Sequence, residues 1–171
     1  METVLFTERE LQNRVYEISQ EINNIPTVQP PVLLCVLNGA FMFFTDLVKN
    51  IDECHIDFIQ CKSYVDNKQY QLVITKNKDI NIEGRDVYLI DDIYDSGVTM
   101  DTLYNKLKQE NPNSLTVVTL FKRWDSPHQN YNSITGFLLQ DESFLVGYGL
   151  DDEKGLSRNL PYIKGILNDC N

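Results

Sequence analysis

Residues 87–100 read VYLIDDIYDSGVTM and combine an acid pair with a turn of small and hydroxyl-bearing residues. The turn carries Ser96, Gly97 and Thr99 directly before a helical pattern. Backbone N–H groups at a helix N-terminus point outward, the helix dipole favours an anion there, and hydroxyl groups add further donors. These residues therefore predict a phosphate-binding turn.

The acid pair, Asp91 and Asp92, requires a different partner because carboxylates repel phosphate. A carboxylate accepts hydrogen bonds from the hydroxyls of a sugar diol and also coordinates magnesium. A phosphate beside a diol indicates a nucleotide or a sugar phosphate. The alternative is purely structural, since an acid pair is common where a strand ends and the segment Asp95–Gly97 has the composition of a helix cap.

Composition argues against a broad surface for anionic partners. The chain has 171 residues, 42% of them hydrophobic and 23% charged, which suits one globular domain over residues 1–171. The formal net charge of -10 argues against binding to nucleic acid or to an anionic membrane. A phosphate ligand must therefore be held by a local feature such as the turn.

The sequence shows no pattern typical of a membrane or exported protein. No apolar run reaches the roughly 18 residues of a membrane span, and Glu2, Glu8 and Glu10 stand where a signal peptide would carry positive charge. We therefore expect a cytoplasmic protein. The four cysteines show no C-x-x-C spacing and are expected to be reduced structural thiols.

Alternating strand and helix patterns predict the elements that position these residues. Thr7 and Glu10 have the spacing of a capping box before a helix with one apolar face. A buried strand over residues 32–37 leads into an apolar helix that runs to about residue 51. Later strands are expected at HIDFIQCKSY, QLVITKN, VYLIDDI, LTVVTLFKRW, ITGFLLQ and FLVGYGL, with a helix over residues 98–109. This order predicts a mostly parallel α/β sheet, whose ligands bind at the carboxyl ends of the strands.

Several of these segments resemble one known family. VYLIDDIYDSGVTM is similar to the phosphoribosyl diphosphate (PRPP) signature of the type I phosphoribosyltransferases. Five further segments resemble the hypoxanthine-guanine branch in the same order: LFTERELQNRVYEISQEI, VLLCVLNGAFMFFTDLV, KSY, FLVGYGLD and RNLPYI. The resemblance implies the type I fold, which is a central, mostly parallel sheet flanked by helices, with a small hood built from the N- and C-terminal segments.

The resemblance also implies an activity. It is the transfer of the 5-phosphoribosyl group from PRPP to N9 of a 6-oxopurine, hypoxanthine or guanine, which gives IMP or GMP and pyrophosphate with the help of Mg2+. A homodimer or homotetramer is expected from the same source. Two alternatives stay open: a regulator that senses PRPP or nucleotides without turnover, and a phosphoribosyltransferase for another base.

Carried onto this sequence, the family pattern implies roles for the PRPP-binding residues. The turn Asp95, Ser96, Gly97, Val98 and Thr99 would hold the 5-phosphate, and Asp95 would also be the general base near purine N7. The acid pair would face the ribose hydroxyls and magnesium. Pyrophosphate would meet Arg158 and a first phosphate loop with a cis peptide at Leu37, Asn38 and Gly39, where many members carry lysine in place of the asparagine.

The purine-binding roles follow the same pattern. Lys122 would donate to the 6-oxo group, and its neighbour Arg123 is expected at the surface. The ring of Phe144 would stack on the purine, and the backbone of Leu145 would read the ring edge. Asp151 would bind Mg2+ near the purine, although one extra residue before Arg158 leaves the choice between Asp151 and Asp152 open. Ser63 and Tyr64 would belong to the mobile loop that closes over the reaction.

Overall fold

The computed structural model describes residues 2–66, 69–76, 80–140 and 143–166. Its elements follow the alternating order expected from the sequence. In chain order they are β1 (Glu2–Phe6), α1 (Glu8–Asn23), β2 (Val32–Leu37), α2 (Phe41–Val48), β3 (His55–Asp66), β4 (Gln69–Lys76), β5 (Asp86–Tyr94), α3 (Val98–Lys108), β6 (Ser114–Arg123), β7 (Ser133–Leu139), β8 (Phe144–Val146) and β9 (Ile163–Ile166).

A six-stranded sheet forms the centre of the molecule, in the order β4-β3-β2-β5-β6-β7. Five neighbouring strands run parallel, namely β3, β2, β5, β6 and β7. Strand β4 pairs antiparallel with β3 at one edge of the sheet. Buried residues of α1 and α2 pack on one face of the sheet, and those of α3 pack on the other. The α/β class predicted from the sequence is therefore confirmed.

Helix α1 begins at the predicted capping box. The Thr7 hydroxyl accepts from Glu10 N at 3.3 Å, and Glu10 Oε2 accepts from Thr7 N at 2.8 Å. These reciprocal bonds satisfy two backbone donors that the first helical turn leaves unpaired. The apolar face of α1 is buried against the sheet through Leu11, Val15 and Ile18.

A second, three-stranded sheet in the order β1-β9-β8 forms the hood. Strand β1 pairs antiparallel with β9, and β9 pairs antiparallel with β8. The hood is therefore built from the two ends of the chain, as the family resemblance implied. Strand β1 itself was not predicted, because its residues precede a strong helix signal and are held in a strand by pairing with distant β9.

Strand β5 extends one residue beyond the predicted strand VYLIDDI at each end. Pairing with β2 stops at Ile90, but pairing with β6 continues to Tyr94 opposite Lys122. Asp91 and Asp92 therefore lie inside the strand, on the part that β2 no longer accompanies. A crevice opens there between the two strands. Among the described residues, no helix combines the length and the apolar character needed to cross a membrane.

Candidate active site

A cavity of about 310 Å3 lies at the carboxyl ends of β2 and β5. Its walls come from three segments: the turn after β2 at residues 37–39, the end of β5 at residues 91–94, and the turn from Asp95 into α3. Ser96, Gly97 and Thr99 all line it, whereas Val98 is exposed beside it. The structure thus gathers the acid pair, the first phosphate loop and most of the turn before α3 around one space, whereas Arg158 is not among the lining residues.

The acid pair is half-buried in this cavity. Asp91 Oδ1 accepts from Asp92 N at 2.9 Å, and Asp92 Oδ1 accepts from Ile93 N at 2.6 Å. Burial raises the pKa of Asp92 to about 6, although the Ile93 N–H and the positive charge of Arg158 lower it. Burial, followed by the adjacent Asp92 charge, raises the pKa of Asp91 well above its ordinary value. A ligand that donates hydrogen bonds or brings positive charge would offset the cost of burying these two ionised carboxylates.

The turn after β2 lies directly against the acid pair. The peptide between Leu37 and Asn38 is cis, as the resemblance implied. A Cβ atom on Gly39 would overlap Asp92 Oδ2, so any side chain at this position would displace the carboxylate. Gly39 therefore permits the close approach of the first loop to the acid pair.

The turn into α3 has an N-terminus that no side chain caps, as far as the described residues show. Its N-cap residue is Gly97, which has a φ of 77° in the left-handed region, where glycine is favoured. Within the segment Asp95–Gly97, which the sequence also suggested as a helix cap, Gly97 is the N-cap and makes no side-chain capping bond. The N-terminal end of the α3 dipole faces a cavity, an arrangement suited to an anion.

Asp95 lies between this cavity and a second, smaller one. Its side chain is 62% exposed, and its Oδ1 lies 3.5 Å from Arg123 Nε. The second pocket has a volume of about 190 Å3. Its lining residues come from the ends of β5 and β6 and from the hood: Ile93, Asp95, Arg123, Phe144, Leu145, Leu150 and Asp151. Asp95 is thus the acid that both spaces share.

Asp151 and Arg158 form an ion pair beside the smaller pocket, with Arg158 Nη2 2.6 Å from Asp151 Oδ2. Asp152 is engaged in its own loop instead, because its carboxylate accepts from Leu156 N at 2.9 Å and from the Ser157 hydroxyl at 3.0 Å. These bonds, the Leu156 N–H first, lower the pKa of Asp152. Of the two acids that the sequence left open, Asp151 is the one that lines the pocket.

The mobile-loop residues cannot be placed in the same way. Ser63 and Tyr64 belong to β3, opposite Leu72 and Gln71 of β4. Their side chains lie outside the part of the chain that the structure describes, so the mobile-loop assignment stays a prediction.

Comparison with known proteins connects this geometry to a family. The family model for the phosphoribosyl transferase domain matches residues 5–153. The hypoxanthine-guanine-xanthine phosphoribosyltransferase of Tritrichomonas foetus is 38% identical, over 99% of this chain and 93% of that protein. The hypoxanthine-guanine phosphoribosyltransferase of Bacillus subtilis is 36% identical, over 98% and 93%. A crystal structure of a Bacillus anthracis hypoxanthine-guanine phosphoribosyltransferase superposes with a TM-score of 0.85 at 31% identity, over 96% of this chain and 98% of that one.

The chain belongs to the hypoxanthine-guanine phosphoribosyltransferase family. It is thus a phosphoribosyltransferase with the type I fold, as its sequence motifs indicated.

Lys122, which the family resemblance matched to a lysine that donates to the purine 6-oxo group, has well-defined contacts at the end of β6. In the structure, Lys122 Nζ lies on the α3 side of β6, 5.4 Å from the centre of the Tyr94 ring and 3.2 Å from Gln129 Oε1. Lys122 is absent from the residues that line the pocket with Phe144 and Leu145.

Arg123, the residue after Lys122, lines the smaller pocket. Its side chain is only 16% exposed, and its Nη2 donates to Ser143 O at 3.1 Å at the edge of the pocket. The expectation that Arg123 lies at the surface is therefore wrong. Strict alternation does not hold to the end of β6, because the adjacent Leu120 and Phe121 both pack in the cluster that includes the hood residue Leu145. The assignment of Lys122 to the base therefore stays a prediction.

Proposed function

We propose that this chain transfers the 5-phosphoribosyl group from PRPP to N9 of a 6-oxopurine, hypoxanthine or guanine, forming the nucleoside monophosphate and pyrophosphate. One observation carries the proposal: Asp95 stands between a cavity suited to a sugar phosphate and a pocket with an aromatic ring and a guanidinium. The family membership and the names of the relatives support the same reaction.

PRPP binding is assigned to the larger cavity. The 5-phosphate lies at the N-terminus of α3 around Ser96 to Thr99, where backbone donors and the helix dipole favour it. The ribose hydroxyls donate to Asp91 and Asp92, which relieves the cost of two buried carboxylates. The diphosphate extends toward the loop of residues 37–39 and toward Arg158, whose planar guanidinium suits phosphate oxygens.

Base binding is assigned to the smaller pocket. The purine stacks on the ring of Phe144, which is 43% exposed, while the backbone of Leu145 contacts the ring edge. The Lys122 ammonium, which the family pattern matches to this role, donates to the 6-oxo group, and the neighbouring Arg123 lines the pocket. A lysine can donate but cannot accept, so this contact disfavours the 6-amino group of adenine.

Proton transfer is assigned to Asp95. As the purine bonds to ribose C1, it becomes more acidic at its ring nitrogens, and a carboxylate beside N7 accepts the proton. The same negative charge stabilises the positive charge that develops on the ribose. The Arg123 guanidinium, with its Nε 3.5 Å from the Asp95 carboxylate, keeps both groups directed at the base.

The residues present fit magnesium carried by the substrate. No group of three His, Cys, Asp or Glu side chains converges on one point among the described residues, so most metal ligands would be diphosphate and ribose oxygens. Magnesium commonly binds through one or two carboxylates together with substrate phosphates, and the acid pair and Asp151 are placed to supply them. When bound, the metal neutralises charge on the leaving diphosphate.

An absorbance assay with PRPP and magnesium tests the proposal, with hypoxanthine, guanine, xanthine, adenine and uracil supplied separately. We expect nucleotide formation with hypoxanthine or guanine and none with adenine or uracil. Turnover of another base would replace the substrate assignment. PRPP binding without turnover, followed through the single tryptophan, Trp124, next to Arg123, would favour the regulator. Light scattering after size exclusion tests the homodimer or homotetramer that forms part of this proposal.

A further inference from the structure

Two tyrosine hydroxyls converge on one carboxylate at the start of α3. Asp101 Oδ1 accepts from the Tyr131 hydroxyl at 2.6 Å and from the Tyr94 hydroxyl at 3.3 Å. Asp101 lies in the first turn of α3, whereas Tyr94 ends β5 and Tyr131 lies in the segment between β6 and β7. Asp101 and Tyr131 are not among the residues that line the larger cavity. The start of the helix is therefore tied to two distant parts of the chain from outside the cavity.

This cluster is in direct contact with Gly97, the N-cap of α3. Asp101 N donates to Gly97 O at 2.8 Å. A Cβ atom built on Gly97 would lie 2.5 Å from the Tyr94 hydroxyl oxygen and 3.3 Å from Asp101 Oδ2. The Gly97 backbone is therefore packed directly on these two side chains, and a displacement of either one would move the turn.

Tyr131 is itself held in place by packing. Its ring stacks on Tyr104 of α3 with ring centres 4.3 Å apart, and both rings pack against the core cluster that contains Met100 and Leu103. Burial, followed by the hydrogen bond to Asp101, raises the pKa of Tyr131, so this hydroxyl keeps its proton and acts as a donor. The fixed donor sets the direction in which the Asp101 carboxylate points.

The direction of this carboxylate matters to a bound anion. Carboxylate and phosphate repel each other, and Asp101 stands within one helical turn of the backbone N–H groups that are assigned to the 5-phosphate. The two hydroxyls partly compensate the Asp101 charge and hold it against the tyrosines. Without them the carboxylate would turn toward the phosphate, and the Gly97 backbone would lose its support.

We propose that Tyr131 and Asp101 are positioning residues for the 5-phosphate of PRPP. Tyr131 acts through Asp101, because its hydroxyl holds the carboxylate. The carboxylate and Tyr94 together hold the Gly97 turn in the shape that presents its backbone donors. This inference rests on the proposed function and deepens it, since it names residues outside the cavity that set the affinity for one group of the substrate.

Tyr131→Phe tests the inference in steady-state kinetics, because it removes the hydroxyl and keeps the stacked ring. We expect KM for PRPP to rise roughly three- to tenfold, since a hydrogen bond to a charged group is lost. KM for hypoxanthine should stay at the wild-type value. Tyr104→Phe is the matched control: it removes a hydroxyl from the other ring of the stack and leaves the bonds to Asp101 in place, so its KM for PRPP should match the wild type.

Competition by IMP and by inosine isolates the phosphate, because the nucleoside lacks it. Tyr131→Phe should weaken IMP by the same factor as PRPP and leave inosine unchanged. A double-mutant cycle then shows whether Tyr131 acts through Asp101. In an Asp101→Ala background the hydroxyl has lost its acceptor, so adding Tyr131→Phe should leave KM for PRPP unchanged.

Four outcomes would overturn the inference while leaving the reaction intact. They are wild-type kinetics in Tyr131→Phe with or without a lower Tm, an equal rise of both KM values, an equal loss of affinity for IMP and inosine, and the same rise in KM for PRPP with and without Asp101. If Tyr131→Phe does not fold, Tyr94→Phe removes the other hydroxyl from Asp101 and carries the same expectations. An inactive wild-type protein would instead refute the proposed function itself.

Discussion

Replacing Asp92 by asparagine should stabilise the ligand-free protein near neutral pH. Burial raises the pKa of Asp92 from 3.8 to about 6, so its ionised form is disfavoured in the folded state. Asparagine has nearly the same shape, and its Oδ1 can still accept from Ile93 N, as Asp92 Oδ1 does at 2.6 Å. The variant therefore removes the charge and retains the local hydrogen bond.

The sign and size of the effect follow from linkage. Because the folded pKa of Asp92 lies above the unfolded value, the folded state binds the proton more tightly, and stability falls as pH rises from 3.8 to about 6. A shift of this size corresponds to at most about 3 kcal/mol above that window. Solvent access to the half-buried carboxylate reduces the penalty, so we expect Asp92→Asn to gain about 1–2 kcal/mol. For a chain of this length that corresponds to a Tm increase of roughly 2–8 °C.

Thermal unfolding without ligand, repeated from about pH 7.5 down to about pH 4, measures this gain. The Tm advantage of Asp92→Asn should be largest at the upper end and shrink toward the lower end, where aspartate is protonated in the folded state and approaches its ordinary pKa of 3.8 in the unfolded state. Asp52→Asn, at an exposed position near the opposite end of the sheet, is the control and should change stability by less than about 0.5 kcal/mol. The same Asp92 variant should bind PRPP more weakly, because the ribose loses an ionised acceptor.

Two results would refute this reasoning. An unchanged or lower Tm near pH 7.5 would mean that the Asp92 carboxylate carries no penalty in the empty cavity. A gain that persists at low pH would mean that asparagine stabilises by packing or hydrogen bonding and not by removing charge.

Three further variants separate the remaining roles. Asp95→Asn should lower kcat roughly a hundredfold or more with little change in PRPP affinity, as expected for loss of a general base; an unchanged kcat would exclude Asp95 from proton transfer. Lys122→Met should raise KM for hypoxanthine more than KM for PRPP, and equal increases would contradict base recognition by Lys122. Gly39→Ala should weaken PRPP binding without preventing folding, because the new methyl group displaces the Asp92 carboxylate; wild-type PRPP affinity in that folded variant would contradict this role.

Local signals in the sequence predicted the parts of the fold that depend on neighbours in the chain. Thr7 and Glu10 lie within one helical turn, so the capping box could be recognised without knowing the fold. The acid pair and the turn at Gly97 were likewise found from one contiguous segment. The acid pair and this turn supply most of the residues that line the larger cavity. This explains why that part of the site could be predicted from the sequence.

The sequence was less informative where position depends on distant pairing. Strand β5 reaches Tyr94, one residue beyond the predicted strand, because β6 pairs with it up to Lys122, which the local pattern cannot reveal. Lys122 and Arg123 are adjacent basic residues at a strand end, so composition does not show which faces the base. The register of β6 places Lys122 opposite Tyr94, and the assignment of Lys122 to the base stays a prediction.

The hood has a consequence for the order of folding. The base pocket depends on β8, which pairs with β9, and β9 pairs with β1 at the other end of the chain. The acid pair and the phosphate-binding turn, in contrast, come from one contiguous segment of the parallel sheet. Closing a loop that spans nearly the whole chain costs more entropy than joining neighbouring segments. We therefore expect a folding chain to acquire its affinity for phosphate before its ability to recognise a base.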